Sequence, residues 1–486
     1  MRRLLSTILT LTLMMQLFVI PAYAKPDWPD DTGILAEGGI VIDMDSGAML
    51  FGQNSRVGYF PASITKLLTA LVVLEHASLD EEVTFSHDAV YNIEEGSGNY
   101  FGLDEGDKWP VEDCLYALIL RSSNQAANAL AEHVGGSRDG FVDMMNQTIE
   151  DLGCTGSRFK NPSGLNDPEQ MVTPFDMALI AKAAFSNEKL LEIASSKRHK
   201  FPPTVNNPEE ISAAIEHKLL KESEELYFPD AVAGKTGYTS LAGNTLVTLA
   251  ERDGRRVIAV VLKGTQPQYY VDSQNLLEFG LARFQNIKVA ENETSYTTGE
   301  NAVTIGGQNY QPSDLEIDPQ AVITLPKDAA YGDAEKTLVT DLPEDHPAGA
   351  VALIKYTYNE RSIGQAYLLL KNAEVFADAD QNGLTETSKG ETEPESQPAG
   401  QPGGEDRKVS LPSISVPVLI LIVILLLAGC GIGYIVYQRR KEERERALRR
   451  QKRRQRIIES GCSEEEFERM VAERMKRKTD RGKEAD

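Results

Sequence analysis

Cysteine is scarce in this sequence, with four in 486 residues. Cys430 lies within a long apolar run near the C-terminus and Cys462 follows that run, which leaves Cys114 and Cys154 in the rest of the chain. This distribution excludes a small fold held together by several disulfides. A bridge between Cys114 and Cys154 stays open, and so does the alternative of two free buried thiols.

Histidine is also rare, and no H-E-x-x-H pattern or close pair of metal ligands occurs. A zinc peptidase is therefore excluded, because such enzymes bind the metal through closely spaced histidines. A glycine-rich phosphate loop is lacking as well, since the glycines at 96 and 98 are not followed by G-K-S or G-K-T. We accordingly expect no metal and no organic cofactor. The six histidines are His76, His87, His133, His199, His217 and His346.

Positive charge is in deficit, since 50 Lys and Arg residues face 73 Asp and Glu residues and give a formal net charge of -23. The segment after residue 437 is itself rich in Lys and Arg, so the part before it is more acidic than the total. An acidic surface repels the phosphate backbone, which excludes nucleic acid as a partner of that part.

The two ends of the chain carry the longest apolar runs. Residues 1–24 combine Arg2 and Arg3, an apolar core and a small-residue site at Ala22-Tyr23-Ala24, which is typical of a signal peptide. Residues 416–437 are uncharged and long enough to span a membrane as a helix, and the basic segment 438–486 follows. The positive-inside rule predicts a single-pass protein of the cell membrane, with a cytoplasmic tail and the other domains outside.

Residues 34–285 show strand patterns at both ends and helical patterns between them. Turn residues between short apolar runs predict hairpins at Asp45-Ser46-Gly47 and at Asp253-Gly254. The run KLLTALVVLE is apolar on all sides and predicts a central, buried helix. We therefore predict an α/β domain in which an antiparallel sheet carries helices on both faces, with a helical lobe beside it.

The next two segments differ in composition. Residues 290–375 contain short β-like runs separated by Gly, Pro, Asn and Asp, and they predict a separate small β domain. Residues 378–410 are acidic, rich in Pro and Gly and devoid of aromatic residues, so they cannot bury enough apolar surface to fold. We predict a disordered stalk there, which holds the folded part off the membrane.

Three short motifs carry the chemistry, and they occur in the order S-x-x-K (Ser63 to Lys66), S-x-N (Ser122 to Asn124) and K-T-G (Lys235 to Gly237). The first opens the apolar helix, the second follows a helix, and the third is expected at the start of a strand. Lys66 follows Ser63 by three positions, about one helical turn, so both side chains reach one face. A lysine amine can activate a serine hydroxyl when desolvation lowers the pKa of that amine. Each motif alone also fits a plain structural role, such as a helix cap.

The segments around these motifs resemble the D-alanyl-D-alanine carboxypeptidase family of low-molecular-mass penicillin-binding proteins, which are serine-type peptidases. The similarity covers the whole peptidase region, and the following β segment is more loosely similar to the small C-terminal domain of that family. The segments that carry it are PASITKLLTALVVLE, LILRSSNQAANALAEHVGG, FKNPSGLNDPEQMVTPFDMALIAKAA and GKTGYTSLAGNTLV.

The resemblance implies a β-lactamase/transpeptidase-like fold and a catalytic role for the first two motifs. Ser63 would be the nucleophile that forms the acyl-enzyme, and Lys66 the base that activates it. Ser122 would relay a proton to the leaving group, and Asn124 would bind the amide of the substrate.

For the third motif the resemblance implies substrate binding. Lys235 and Thr236 would hold the terminal carboxylate of the substrate, and Gly237 would let the substrate backbone approach the strand. The backbone amides of Ser63 and Tyr238 would form the oxyanion hole, which contributes about 3–4 kcal/mol per donor.

Two departures from the family pattern stand out. Tyr238 occupies the position where many members have His, so this chain cannot use that imidazole. Many members also have an Arg shortly after the second strand of the hairpin, where this chain offers only Lys263.

The resemblance predicts cleavage of the terminal D-alanine from peptidoglycan stem pentapeptides, with β-lactams as inhibitors. A β-lactamase would share the motifs, but the E-x-x-L-N type segment with its deacylating Glu is missing between the second and third motifs. A membrane-anchored penicillin or peptidoglycan sensor and a scaffolding protein are the remaining alternatives. Release of D-alanine from a pentapeptide distinguishes among them.

Overall fold

The computed structural model describes residues 25–93, 97–343 and 346–371. The predicted signal peptide (1–24), stalk (378–410), membrane span (416–437) and tail (438–486) lie outside the described residues. Within the three described ranges, no helix is long and apolar enough to cross a membrane.

The helices of the described residues are α1 (Lys66–His76), α2 (His87–Tyr91), α3 (Val111–Leu120), α4 (Asn124–Gly135), α5 (Arg138–Asp151), α6 (Pro174–Ser186), α7 (Glu188–Ser195), α8 (Gln268–Arg283) and α9 (Val289–Asn292). The strands are β1 (Gly38–Asp43), β2 (Met49–Gln53), β3 (Glu82–Thr84), β4 (Lys108–Pro110), β5 (Arg198–Phe201), β6 (Ile211–Ala214), β7 (Ala231–Thr239), β8 (Gly243–Arg252), β9 (Arg255–Gly264), β10 (Phe284–Lys288), β11 (Val303–Ile305), β12 (Gln308–Tyr310), β13 (Leu315–Ile317), β14 (Val322–Pro326), β15 (Glu335–Val339), β16 (Ala350–Tyr358) and β17 (Arg361–Leu370).

A five-stranded sheet forms the centre of the first domain, in the order β2-β1-β9-β8-β7. All of its pairings are antiparallel, and β1 from the N-terminal end pairs with β9 from the C-terminal end. The prediction of an antiparallel sheet built from both ends of the segment is confirmed. Because β7 is the last strand in this order, one of its edges is left unpaired within the sheet.

Helices cover both faces of this sheet. Alternate residues of β1 point to opposite sides, so Ile40 and Ile42 pack into one apolar core while Val41 packs into another. The first core contains α1, whose residues from Lys66 to Val73 are all buried, as the continuous apolar run predicted. The second core contains α8, which contributes Leu276 and Leu277.

The helices between the two halves of the sheet form the predicted lobe. Most begin at a side-chain cap, in which a Ser, Thr or Asn oxygen accepts a hydrogen bond from a backbone N–H one turn later. The capping residues are Ser86, Ser123, Ser137, Thr173 and Asn187. Cys114 and Cys154 are both buried and free, which decides against a bridge between them.

A second, six-stranded antiparallel sheet follows, with the order β10-β14-β17-β16-β15 and β13 paired to β17. Its first strand begins at Phe284, directly after α8. A small apolar core that includes Ile323, Ile354 and Leu368 lies on this sheet.

Candidate active site

The S-x-x-K residues meet at the junction of two helix types. Ser63 lies in a short 3-10 helix, Ala62–Thr65, and α1 begins only at Lys66, one turn later than the position expected from the sequence. In a 3-10 turn, residues three apart lie above one another. The Lys66 Nζ atom accordingly lies 3.0 Å from the Ser63 Oγ atom, to which it donates a hydrogen bond.

The Lys66 ammonium has two further acceptors. It donates to the Asn124 Oδ1 atom at 2.8 Å and to the backbone carbonyl of Ser163 at 2.5 Å. Asn124 is the last residue of the S-x-N motif and the first residue of α4, so the second motif contacts the first directly. Three acceptors match the three N–H bonds of an ammonium and fix its position beside the hydroxyl.

The protonation of Lys66 is shifted by its surroundings. Its side chain is fully buried, and this desolvation holds the pKa of Lys66 well below its usual value, with the nearby charge of Lys235 adding to the decrease. Glu216 opposes the shift through its negative charge. A lowered pKa increases the share of the neutral amine, and only the neutral amine can accept a proton from a hydroxyl.

The second and third motifs meet through a hydrogen bond between Ser122 and Lys235. Ser122 lies in the tight turn between α3 and α4 with a φ of 58°, a left-handed conformation that is costly for a non-glycine residue. The Lys235 Nζ atom donates to the Ser122 Oγ atom at 3.1 Å and to the backbone carbonyl of Thr236 at 2.9 Å. Burial lowers the pKa of Lys235 to about 8, and the negative charge of Glu216 opposes this decrease.

The K-T-G motif runs along the unpaired edge of the first sheet. It does not start the strand as expected, because β7 begins at Ala231 and already pairs there with Ala250 of β8. Gly237 faces the nucleophile closely, since a Cβ atom at this position would lie 2.8 Å from the Ser63 backbone nitrogen and 2.4 Å from Thr245 Oγ1. Glycine is therefore required for β7 to approach Ser63.

A cleft of about 450 Å³ opens over these residues. Its lining consists of Ser63, Ser122, Glu216, Thr236, Gly237, Tyr238, Asn244, Gln266, Tyr269 and Tyr270. The Tyr238 side chain is two-thirds exposed and stands at this opening. A larger cavity of about 1080 Å³ lies beside the second sheet, and its lining includes none of the motif residues, so size alone would not identify the site.

The sequence patterns did not reveal several residues of this site. Ser163 and Glu216 belong to loops, and neither has a spacing relationship to a motif. The glycine that follows Ser163, Gly164 in the segment NPSGLN, is the one hint that the sequence offers for this loop. Its φ of 83° and its position against the carbonyl of Ala62 both require glycine. Lys263, the cation expected near the hairpin, donates its ammonium to the carbonyl of Leu241 at 2.6 Å and is absent from the cleft lining in the described residues.

Within the described part of the chain, no group of three or more His, Cys, Asp or Glu residues is placed to hold a metal ion. The arrangement supplies a hydroxyl nucleophile, a desolvated amine and a second buried cation, Lys235, which is hydrogen-bonded to Ser122 of the cleft lining.

Comparisons with known proteins agree with this geometry. A family model described as D-alanyl-D-alanine carboxypeptidase, peptidase S11, matches residues 25–266. The D-alanyl-D-alanine carboxypeptidase DacB2 of Mycobacterium tuberculosis is 33% identical over 263 residues, which cover 53% of this chain and 84% of that protein. DacA of Haemophilus influenzae, which has the same description, is 30% identical over 358 residues, covering 70% of this chain and 85% of that protein.

Among solved structures, penicillin binding protein 5 from Haemophilus influenzae superimposes with a TM-score of 0.56 at 27% sequence identity. The match covers 72% of this chain and 98% of that structure, so it extends beyond the first domain into the second. The mixed α/β fold with antiparallel sheets is thereby the transpeptidase-like fold. The chain belongs to the D-alanyl-D-alanine carboxypeptidase family, peptidase S11.

Proposed function

We propose that this chain removes the terminal D-alanine from peptidoglycan stem pentapeptides through an acyl-enzyme on Ser63. The observation that carries the assignment of the nucleophile is the 3.0 Å contact between Ser63 Oγ and the fully buried amine of Lys66. A serine hydroxyl is a weak nucleophile unless a base lies within hydrogen-bond reach, and this amine is such a base.

Acylation starts when the neutral amine of Lys66 takes the proton of Ser63. The alkoxide attacks the carbonyl carbon of the penultimate D-alanine, and the resulting oxyanion accepts hydrogen bonds from the backbone amides of Ser63 and Tyr238. Each such donor contributes about 3–4 kcal/mol to the transition state. The C–N bond then breaks, Ser122 passes its proton to the departing amine of the last D-alanine, and the Lys66 ammonium returns a proton to Ser122. Lys66 is thereby neutral again. Ser63 is left as an ester.

Hydrolysis of this ester completes the cycle. A water molecule attacks the ester carbonyl and gives its proton to Lys66, the C–O bond to Ser63 breaks, and Ser63 regains a proton from Lys66. The products are the shortened stem with a free carboxylate and the restored serine. β-Lactams form the same kind of ester, and we expect them to leave slowly because the deacylating Glu segment of class A β-lactamases is missing from the sequence.

Substrate binding uses the open edge of β7. An extended peptide can add to an unpaired strand through backbone hydrogen bonds, and Gly237 leaves room for it. Lys235 and Thr236 then hold the terminal carboxylate, while Asn124 binds an amide of the stem. A charged ammonium at Lys235 selects for a free carboxylate at the end of the substrate.

We further propose that the reaction takes place outside the cytoplasm. The support is the sequence of the two ends, with a signal peptide over 1–24 and a span over 416–437 that precedes the basic tail. The domain limits 34–285 and 290–375 and the stalk 378–410 stay predictions in the same way.

The experiment replaces Ser63 in the full-length protein, purified in detergent and incubated with benzylpenicillin. Wild type should gain the mass of one penicilloyl group and should release D-alanine from a stem pentapeptide, whereas Ser63→Ala should do neither. Ser78→Ala, which removes an exposed hydroxyl beyond the end of α1, is the matched control and should behave as wild type. A penicilloyl adduct on the Ser63→Ala protein would contradict the assignment.

A further inference from the structure

Arg121 is a largely buried cation that lies next to Ser122, a residue of the cleft lining. It follows the last residue of α3 and directly precedes Ser122, the residue that accepts a hydrogen bond from Lys235. Its guanidinium carbon lies 3.8 Å from the centre of the Tyr100 ring, a stacking that fixes the plane of the group. The side chain is 25% exposed, so the cation is held largely out of bulk water.

The guanidinium of Arg121 is incompletely paired. Its Nη2 atom is 3.5 Å from Glu216 Oε1, which is longer than a charged hydrogen bond of about 2.7–2.9 Å. Its Nε atom is buried and has no hydrogen-bond acceptor in the described residues. Buried donors are normally satisfied, and a strong acceptor that approached this guanidinium would gain contacts that Glu216 does not fully provide.

Glu216 connects this cation to the reaction site. It is the one carboxylate in the lining of the cleft, and it shares that lining with Ser63 and Ser122. Its charge also acts on Lys235, so the carboxylate interacts with both cations. A substrate that ends in a free carboxylate must enter next to this negative charge, and the entry is unfavourable unless a cation compensates for it.

We propose that Arg121 is a specificity-determining residue that binds the terminal carboxylate of the substrate together with Lys235, by exchanging Glu216 for that carboxylate. The proposal rests on the function proposed above and identifies the residue that recognises the free carboxylate at the end of the stem peptide. A guanidinium can donate two parallel hydrogen bonds to a carboxylate, and its planar shape is already oriented by Tyr100.

Lys263 is the natural competitor for this role, and its position argues against it. Its ammonium donates to the carbonyl of Leu241 in the hairpin between β7 and β8. Neither Lys263 nor Arg121 is itself in the cleft lining formed by the described residues, but Arg121 adjoins Ser122 and pairs with Glu216, and both of those residues line the cleft. Lys263 therefore provides a matched control for the removal of a nearby cation.

The test compares a ligand with and without its carboxylate. The second-order rate of acylation is measured by intact mass at pH 6 for benzylpenicillin and for its methyl ester, with full-length wild type, Arg121→Gln, Glu216→Gln and Lys263→Gln. At this pH Lys235 is charged, because its pKa is about 8. Arg121→Gln should slow acylation by the acid roughly 10-fold, the usual effect of losing one charged hydrogen bond, and should leave the ester within about twofold. Lys263→Gln should change neither rate.

Glu216→Gln separates recognition from a merely structural ion pair. It removes the competing carboxylate, so the ratio of the acid rate to the ester rate should be at least as high as with wild type. The proposal is overturned if Arg121→Gln slows acid and ester equally, or if Glu216→Gln reproduces the loss seen with Arg121→Gln. Failure of wild type to be acylated by either compound would instead overturn the proposed function itself.

Discussion

Two buried lysines at the site have different proposed roles, Lys66 as a base and Lys235 as a cation that binds a carboxylate. Burial lowers the pKa of both, but Lys66 also experiences the charge of Lys235, and its pKa falls well below the usual value. The pKa of Lys235 falls only to about 8. The site can therefore combine an amine whose lowered pKa favours the neutral form that accepts protons with an ammonium that stays charged below about pH 8 and binds a carboxylate. Such separation of two similar groups by their surroundings is how one site supplies both a base and a cation.

The charge of Lys235 should set the alkaline limit of activity. Because its pKa is lowered to about 8, the ammonium loses its proton as the pH rises through that value, and carboxylate binding is lost with it. We expect kcat/KM for a stem pentapeptide to decline above about pH 8. Lys235→Ala should cost about 2–4 kcal/mol of transition-state stabilisation at pH 7.

The control for this prediction is Lys235→Arg, whose guanidinium stays charged across the range, so the decline near pH 8 should disappear. Measurement of kcat/KM from pH 6 to pH 10 checks both variants. If the Lys235→Ala protein cleaved the peptide at the wild-type rate, or if its kcat/KM declined above pH 8 as in wild type, another group would be responsible.

The contact between Ser63 and Lys66 could be predicted from the sequence, because the S-x-x-K spacing brings both side chains to one face. The contacts of Lys66 with Asn124 and of Lys235 with Ser122 join motifs that are distant in sequence, so local geometry does not give them.

Ser163 could not be predicted from local geometry either. It reaches Lys66 across 97 positions of sequence, and only the folded path of its loop brings its carbonyl to the amine. Arg121 and Glu216 were missed for the same reason, since their pairing joins the end of α3 to a loop before β7.

Among the elements, the turns next to the first two motifs contain strained backbone. Ala62 and Ser122 both have positive φ values, 52° and 58°, although neither is glycine. Conformations of this kind cost about 1–3 kcal/mol each and persist only where surrounding packing enforces them. Local propensity argues against these turns, so the delayed start of α1 at Lys66 could not be read from the sequence.

The loop that carries Ser163 should depend on the glycine that follows it. A Cβ atom at Gly164 would lie 1.9 Å from the carbonyl oxygen of Ala62, so Gly164→Ala must push this loop away from the helix that holds Ser63. We expect a lower melting temperature and a marked loss of penicillin acylation, because the third acceptor of Lys66 is displaced.

Gly153→Ala is the matched control for this prediction. Gly153 also has a positive φ, 75°, but a Cβ atom there would meet nothing within 4 Å. Both variants pay the conformational cost of about 1–2 kcal/mol for a left-handed alanine, whereas only Gly164→Ala should lose acylation. Equal acylation by the two proteins, measured by intact mass, would refute the positioning role of the loop.

In the whole molecule, the two sheets are joined by a buried polar group. Asp43 at the end of β1 is fully buried and accepts hydrogen bonds from Arg255 at 3.0 Å and from Asn286 of β10 at 3.1 Å. Arg255 also donates to the backbone carbonyls of Gly280 and Phe284, where α8 passes into the second sheet. The antiparallel sheet with helices on both faces was predictable from alternating apolar runs. This junction was not, because its partners are distant in sequence and polar.

Loss of the Asp43 charge should destabilise the protein strongly. Asp43→Asn leaves the Arg255 guanidinium buried without its counter-ion, and breaking such a pair costs about 3–5 kcal/mol of the free energy of unfolding. Asp45→Asn is the control, since the pair of Asp45 with Arg256 is more exposed and should contribute less than about 1 kcal/mol. Urea denaturation of the three proteins measures the difference. A similar small effect from both variants would mean that the junction does not depend on this pair.

The sequence of the two chain ends, which lie outside the described residues, predicts the position of the protein in the cell envelope. If residues 416–437 span the membrane with the basic segment 438–486 inside, protease added to intact cells should cut the stalk at 378–410 and release the folded domains. An epitope placed at the C-terminus should then stay protected, because the membrane separates it from the protease. Permeabilised cells are the control and should lose the epitope as well. Digestion of the epitope from outside intact cells would reverse the orientation, and with it the assignment of this carboxypeptidase to the peptidoglycan side of the membrane.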